Sequence, residues 1–281
     1  MTALIAGEAP AGAWPTPKGR TQVIVKYEHM RAEEGFDPSG ARADLPAPQT
    51  DRVLGVFAEH GLTERITLQF KGDLQDGEDA FARYSGRGTA ELAVRVNVWR
   101  GDWSVLSVQA AHAWGGDARN ALYAPPGAGE GDWELRLLAG RSFQRRGAFV
   151  EAQLARRFRD GLADETRLDL TAGADLAPGW AVMTQVFAGA ADEGARWANV
   201  ETSLVRTLGD WSVQAGWRHS AWGREAPISS GPVLALWRRF RKKHPSRDGI
   251  RKIITLMKTG LPCDRQPISA GFPATPDWFL C

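Results

Sequence analysis

Alternation with a period of two constrains this chain more than any other feature. Residues 65–73 place Ile66, Leu68 and Phe70 on one face and Thr67, Gln69 and Lys71 on the other. Residues 91–98 set Leu92, Val94, Val96 and Val98 against Glu91, Ala93, Arg95 and Asn97. Residues 167–174 set Leu168, Leu170, Ala172 and Ala174 against Arg167, Asp169, Thr171 and Gly173. A helix repeats every 3.6 residues and would mix both sets on each face, whereas a strand separates them. Twelve segments carry the pattern: 20–30, 51–60, 65–73, 87–99, 103–114, 132–142, 148–158, 165–175, 180–188, 196–207, 211–222 and 230–240. Most have about the length a tilted strand needs to cross a bilayer, and exceed the ~5–6 residues usual in soluble sheets.

The two faces differ in kind. One parity carries uncharged mid-strand residues: Val23, Val25, Leu54, Val56, Leu68, Val94, Val108, Leu135, Ala152, Leu170, Val186, Val200, Ala215 and Leu234. The other carries Lys26, Glu28, Lys71, Glu91, Arg95, Glu134, Arg136, Glu151, Arg167, Asp169, Glu201 and Arg218, balanced in sign. Tryptophans stand toward both ends of the strands. Trp99, Trp103, Trp180, Trp211 and Trp237 fall on one side, Trp114, Trp133, Trp197, Trp217 and Trp222 on the other. Trp99, Trp103, Trp133, Trp211 and Trp217 are the candidate aromatic girdle, because bilayer interfaces select such belts.

Connections alternate as well. Tight turns at 61–64, 100–102, 143–147, 176–179 and 208–210 face long polar stretches at 31–49, 74–86 and 115–131. Gly101-Asp102-Trp103 recurs as Gly209-Asp210-Trp211 and is echoed by Gly131-Asp132-Trp133, with glycine expected to take positive φ. The expected fold is therefore all-β: a single transmembrane up-and-down antiparallel barrel of about twelve strands, with a non-barrel C-terminal tail. A soluble β-sandwich or lipocalin-like barrel is the competing architecture.

Composition sets the remaining bounds. In a chain of 281 residues, 43% hydrophobic against 24% charged excludes wholesale disorder. No uncharged apolar run approaches the ~20 residues of a membrane helix. The net charge of +2 hides a split: residues 241–281 carry +5 and hold both cysteines, Cys263 and Cys281. Three regions follow: a leader over 1–19, the barrel over 20–240 and a basic tail over 241–281. The leader contains Ala9-Pro10-Ala11, a cleavage-type sequence, and reads either as the remnant of a signal peptide or as a short Ala/Pro/Gly leader. Within the tail, Ile250, Ile253, Ile254 and Met257 have helical spacing; it reads as a non-native extension or as a periplasmic, membrane-touching helix.

Glu59-His60-Gly61-Leu62-Thr63-Glu64-Arg65 resembles the strand-turn-strand element of small proteobacterial outer-membrane barrels of the MetA-pathway (phenol-degradation) transporter type. The ending Leu234 to Phe240 is similar to the C-terminal strand of outer-membrane proteins, which acts as an insertion signal. Trp237 and Phe240 are its aromatic residues here, with the usual penultimate aromatic displaced to Trp237. The resemblance implies residence in the outer membrane of a Gram-negative bacterium. It also implies contact with the bilayer, lipopolysaccharide and the outer-membrane assembly machinery, and passage of small solutes, hydrophobic or aromatic ones among them.

Catalytic and metal signals are weak. There is no G-x-S-x-G, and His-x-Ser occurs only at His244-Pro245-Ser246, beyond the barrel. His29, His112 and His219 are isolated. The acids Asp73, Asp76, Glu78 and Asp79 lack EF-hand spacing, though they could hold a divalent cation loosely near lipopolysaccharide phosphates. No enzyme activity, cofactor, metal or nucleic-acid partner is expected. Three functions stand in order: a passive channel with a charge-lined lumen, a closed structural or surface-interaction barrel, and an outer-membrane lipid hydrolase.

Overall fold

A computed structural model describes residues 12–116, 131–143 and 147–240. It contains twelve strands: β1 (Thr21–Phe36), β2 (Arg42–Gly61), β3 (Ile66–Glu78), β4 (Arg83–Arg100), β5 (Ser104–Trp114), β6 (Asp132–Phe143), β7 (Ala148–Phe158), β8 (Glu165–Ala177), β9 (Trp180–Ala191), β10 (Arg196–Leu208), β11 (Trp211–Arg224) and β12 (Ala226–Phe240). Each pairs antiparallel with its sequence neighbours. The ring closes where β12 meets β1, from Thr21 opposite Phe240 to Phe36 opposite Ala226. Closure leaves no unpaired strand edge, the condition for a sheet to stand in hydrocarbon.

Strand parity sorts the side chains. The uncharged mid-strand set lies on the outer wall, with Leu54, Val94, Leu135 and Leu234 among its exposed members. A continuous apolar belt of this kind has no place in water, and a bilayer satisfies it. Cations cap it at the tight-turn end, where Arg206 lies over Trp180 (4.9 Å) and Arg238 over Trp211 (4.6 Å). Such stacking keeps the charge at headgroup level while the stem and ring stay in the apolar layer.

Several strands outrun the alternation. Residues 31–49 and 74–86, expected as long loops, belong largely to β1, β2, β3 and β4, and only 37–41 and 79–82 connect them. These tips stand clear of the apolar belt, and their buried inner positions, such as Ala32, Gln49 and Gln75, are small or polar, so main-chain pairing continues without any hydrophobic period to announce it. At the β1–β2 tip the register passes from Ala32 opposite Gln49 to Glu34 opposite Asp44. The residues looped out of β2 include Pro46 and Pro48, which have no N–H to give a ladder. Most of the 115–131 connection lies outside the described residues, as do residues 1–11 and the tail from 241 on.

Turn chemistry follows expectation in part. Gly131 and Gly209 do adopt positive φ, at 130° and 63°. Gly101 does not; the strand before it carries a bulge between Asn97 and Trp99.

Candidate functional site: the charged lumen

Residues far apart around the wall meet inside the ring. Lys26 on β1 reaches Glu201 on β10 at 2.9 Å, across two intervening strands. Arg218 on β11 reaches Glu28 on β1 at 2.8 Å and Glu201 at 2.7 Å. Only the lumen allows such contacts. Gln214 donates to Glu201 Oε1 at 3.0 Å, and the guanidinium of Arg218 lies 4.8 Å from the Phe187 ring. One wall therefore carries a compact cluster of two carboxylates and two cations, with Glu201 and Arg218 almost wholly buried.

A second cluster lines β3 to β8. Arg136 pairs with Glu134 at 2.9 Å and with Asp169, while Arg167 joins Glu165 (2.6 Å) and Glu134 (3.8 Å). Arg157 binds Asp132 at 3.0 Å and approaches Glu91, which also pairs with Lys71 at 3.2 Å. Ion pairs that share partners in this way satisfy one another's charges, which a single buried pair does less well.

All twelve lumen charges read from the sequence occupy the inner face. Parity reading overlooked Asp51, Glu59, Asp73, Asp132, Glu165 and Arg157, which share that face. For four of them the signal is present, because they continue the parity of a recognised neighbour: Asp73 follows Lys71 by two, Asp132 precedes Glu134 by two, Arg157 follows Glu151 by six and Glu165 precedes Arg167 by two. Asp51 and Glu59 lie on β2, which holds none of the twelve. The added groups are five acids and one base, and Arg239, which donates to the buried Ser212 hydroxyl, is a further inward base at the tight-turn end.

The leader also contributes to the site. Gly12, Ala13, Pro15 and Thr16 are buried inside the barrel. Arg95, 1% exposed, donates to the carbonyls of Gly12 and Trp14 and pairs with Glu59 at 3.2 Å. The Thr16 amide donates to Thr67 Oγ1 at 3.0 Å. The Trp14 indole meets Phe149 edge-on and packs against Gly140, where a Cβ would stand 2.6 Å from it. Ala13 and Trp14, with Val105 and Leu138, form an apolar layer near the tight-turn end of the lumen.

The girdle residues Trp99, Trp103, Trp133, Trp211 and Trp217 all point outward and are exposed. Trp99 does so only because of the bulge, since strict alternation from Arg95 and Asn97 would aim it into the lumen. Two other belt candidates face inward. Trp197 donates to Glu165 at 3.1 Å, and Trp237 is buried against Met183, Val205 and Ala235. Trp237 and Phe240 are three residues apart, so a period of two sets them on opposite faces, and Phe240 stays outside.

His29, His112 and His219 take the outward parity, His112 lying between Trp114 and Trp133 with ring centroids 4.6 and 4.5 Å away. The acids at 73–79 separate: Asp73 faces the lumen beside Gln75, Asp76 pairs outside with Arg52, and Asp79 caps the turn to β4. Among the described residues no group of three ligating side chains gathers at one place.

Comparison with protein-family models and with curated proteins finds no match. Solved structures do match. An outer-membrane channel from Pseudomonas putida F1 superposes with a TM-score of 0.64 at 15% identity, covering 83% of this chain and 99% of that one. The NanC porin superposes with a TM-score of 0.50 at 6% identity, covering 78% of this chain and 100% of that one. The resemblance carried by residues 59–65 and 234–240 thus holds at the level of architecture: this chain has the fold of small outer-membrane channels.

Proposed function

We propose that the protein is a passive channel in the outer membrane of a Gram-negative bacterium, passing small polar solutes along its charge-lined lumen. The observation that carries this reading is the pairing of Lys26 with Glu201 across the interior of a ring whose outer wall is apolar. A protein that only needed to stand in the membrane would be served by an uncharged interior, because buried ion pairs add little net stability over apolar packing. Fixed charges along a passage instead set which solutes enter it. An aromatic solute, as the family resemblance implies, would meet Phe149 and Phe187 among the rings that face inward.

The partners in this reading are those of an exported barrel. The apolar belt meets the bilayer, the β1–β2 and β3–β4 tips stand among lipopolysaccharide, and the assembly machinery reads β12 ending at Phe240. The chain is not an enzyme in this reading, so purified protein turns over no phospholipid.

One observation favours the closed barrel as a second reading: Gly12 to Thr16 stand inside the lumen. Planar-bilayer recording of the full chain, and of a chain lacking residues 12–17, separates the two. Discrete conductance steps from the full chain, enlarged by the deletion, are the expected result. Silence from both proteins would establish a closed barrel and sink the channel.

A further inference from the structure

Gly12, Ala13 and Trp14 are gripped by their main chain. Arg95 takes the Gly12 and Trp14 carbonyls, Ser107 Oγ donates to the Ala13 carbonyl at 2.6 Å, and the Ala13 amide donates to Glu151 Oε2 at 2.8 Å. A methyl group on Gly12 would stand 1.7 Å from the same carboxylate oxygen, so no larger residue fits without displacing it. The Glu151 carboxylate therefore lies against the α-carbon of Gly12.

Glu151 differs from the other buried glutamates of the lumen. Glu28, Glu59, Glu91, Glu134, Glu165 and Glu201 each have a Lys or Arg within ion-pair distance. Glu151 is buried to a similar degree, yet among the described residues it accepts only from the Ala13 amide and the Gln153 side chain, and Arg95 and Arg136 act on it only from beyond ion-pair distance. A carboxylate withdrawn from water is strongly disfavoured unless a positive charge accompanies it. Directly before Gly12 the sequence reads Ala9-Pro10-Ala11, with small residues at the two positions a signal peptidase requires.

We infer that the Ala11–Gly12 peptide bond is hydrolysed during export, and that the α-ammonium freed on Gly12 is the cation that pairs with Glu151 in the lumen. Water adds to the Ala11 carbonyl carbon and the C–N bond breaks. Ala11 leaves as the carboxylate end of the leader, and the Gly12 nitrogen takes up the protons to become an ammonium. Nothing is oxidised or reduced. Processing thus supplies the missing charge and locks the segment: Arg95 and Ser107 hold its carbonyls, and Glu151 holds its new terminus.

The inference rests on the exported-barrel reading. Its first test is the intact mass and N-terminal sequence of protein recovered from outer membranes after expression behind a complete signal peptide. A first residue of Gly12 is expected. A chain that reaches the outer membrane with a different first residue overturns the inference and leaves the channel standing; a chain that never arrives overturns both. The second test is acetylation of the α-amine by an amine-reactive ester. The pairing predicts at least about tenfold slower labelling in folded wild type than in folded Glu151→Gln, the factor for one pKa unit. Equal rates overturn the pairing. If the Gln variant does not fold, wild-type protein labelled before and after heat unfolding gives the same contrast.

Discussion

The side-chain amide of Asn97 donates to the main-chain carbonyl of Trp99 at 3.1 Å, and also to that of Leu106 at 3.0 Å, across the bulge that turns the indole outward. A bulge leaves ladder carbonyls without their usual donors, and a buried acceptor left unpaired is costly. Asn97 is thus the residue that makes an extra strand position tolerable and a lipid-facing Trp99 possible. Replacement of Asn97 by Leu should destabilise the barrel by about 1–3 kcal/mol. Urea unfolding in lipid vesicles reads this loss. An unchanged midpoint would show that the bulge needs no side-chain support.

The two walls should respond oppositely to added charge. Val94→Arg and Leu170→Arg place a guanidinium in the apolar belt and should each cost about 2–4 kcal/mol. Thr171→Arg, on the inner face and only partly buried, should cost much less. Unfolding measurements on the three variants decide the matter, and equal losses would mean that the faces are misassigned.

Within the lumen, Glu201 is the shared acceptor for Lys26 and Arg218. Glu201→Gln strands two cations beside one remaining carboxylate, Glu28, and should cost about 3–5 kcal/mol. Arg31→Ala, which removes an exposed pair with Glu33, should fall within about 0.5 kcal/mol of wild type. Comparable losses from the two variants would show that water screens the lumen cluster as fully as the surface.

Asp51, Glu59, Asp73, Asp132 and Glu165 shift the described lumen toward negative charge. A salt gradient across a planar bilayer should therefore give a reversal potential with the sign of cation preference. Preference for chloride would refute the assignment of these acids to the conducting path.

The β1–β2 turn should titrate. Asp37 accepts from the Ser39 hydroxyl at 2.6 Å and from the Ser39 and Ala41 amides, which hold its carboxyl below the ordinary aspartate value. A carboxylate with a lowered folded pKa contributes to stability above its unfolded value, and that contribution is lost as pH falls through the folded value. The Ser39 and Ala41 amide resonances should accordingly shift with a midpoint below about 3.9. Asp37→Asn should abolish the transition, and a midpoint at the free aspartate value would rule out the turn as its cause.

Much of this fold was legible because one wall meets lipid and the other does not. Where that contrast exists, as at Leu92 to Asn97 or Leu168 to Ala174, a period of two is forced on the sequence, and strand number, facing and the lumen charges follow from it. Beyond the belt the outer face of β1 and β2 is no longer apolar and the inner one carries small or polar residues such as Ala32 and Gln49, so the contrast disappears and the sequence does not distinguish the paired tips from loops.

Sequence alone determined the twelve strands, the apolar belt and the inner position of charges such as Arg95 and Glu201. Tertiary structure decided what depends on closure and register. The bulge after Asn97 reverses the facing of Trp99, and a spacing of three sends Trp237 inward while Phe240 stays outside. The ring brings Lys26 within 2.9 Å of Glu201, although 175 positions separate them in the chain. The same closure encloses Gly12 to Thr16, whose side chains show no periodicity because the wall binds them through their main-chain amides and carbonyls. Local alternation records which solvent each face meets; it holds no record of which distant strand stands opposite.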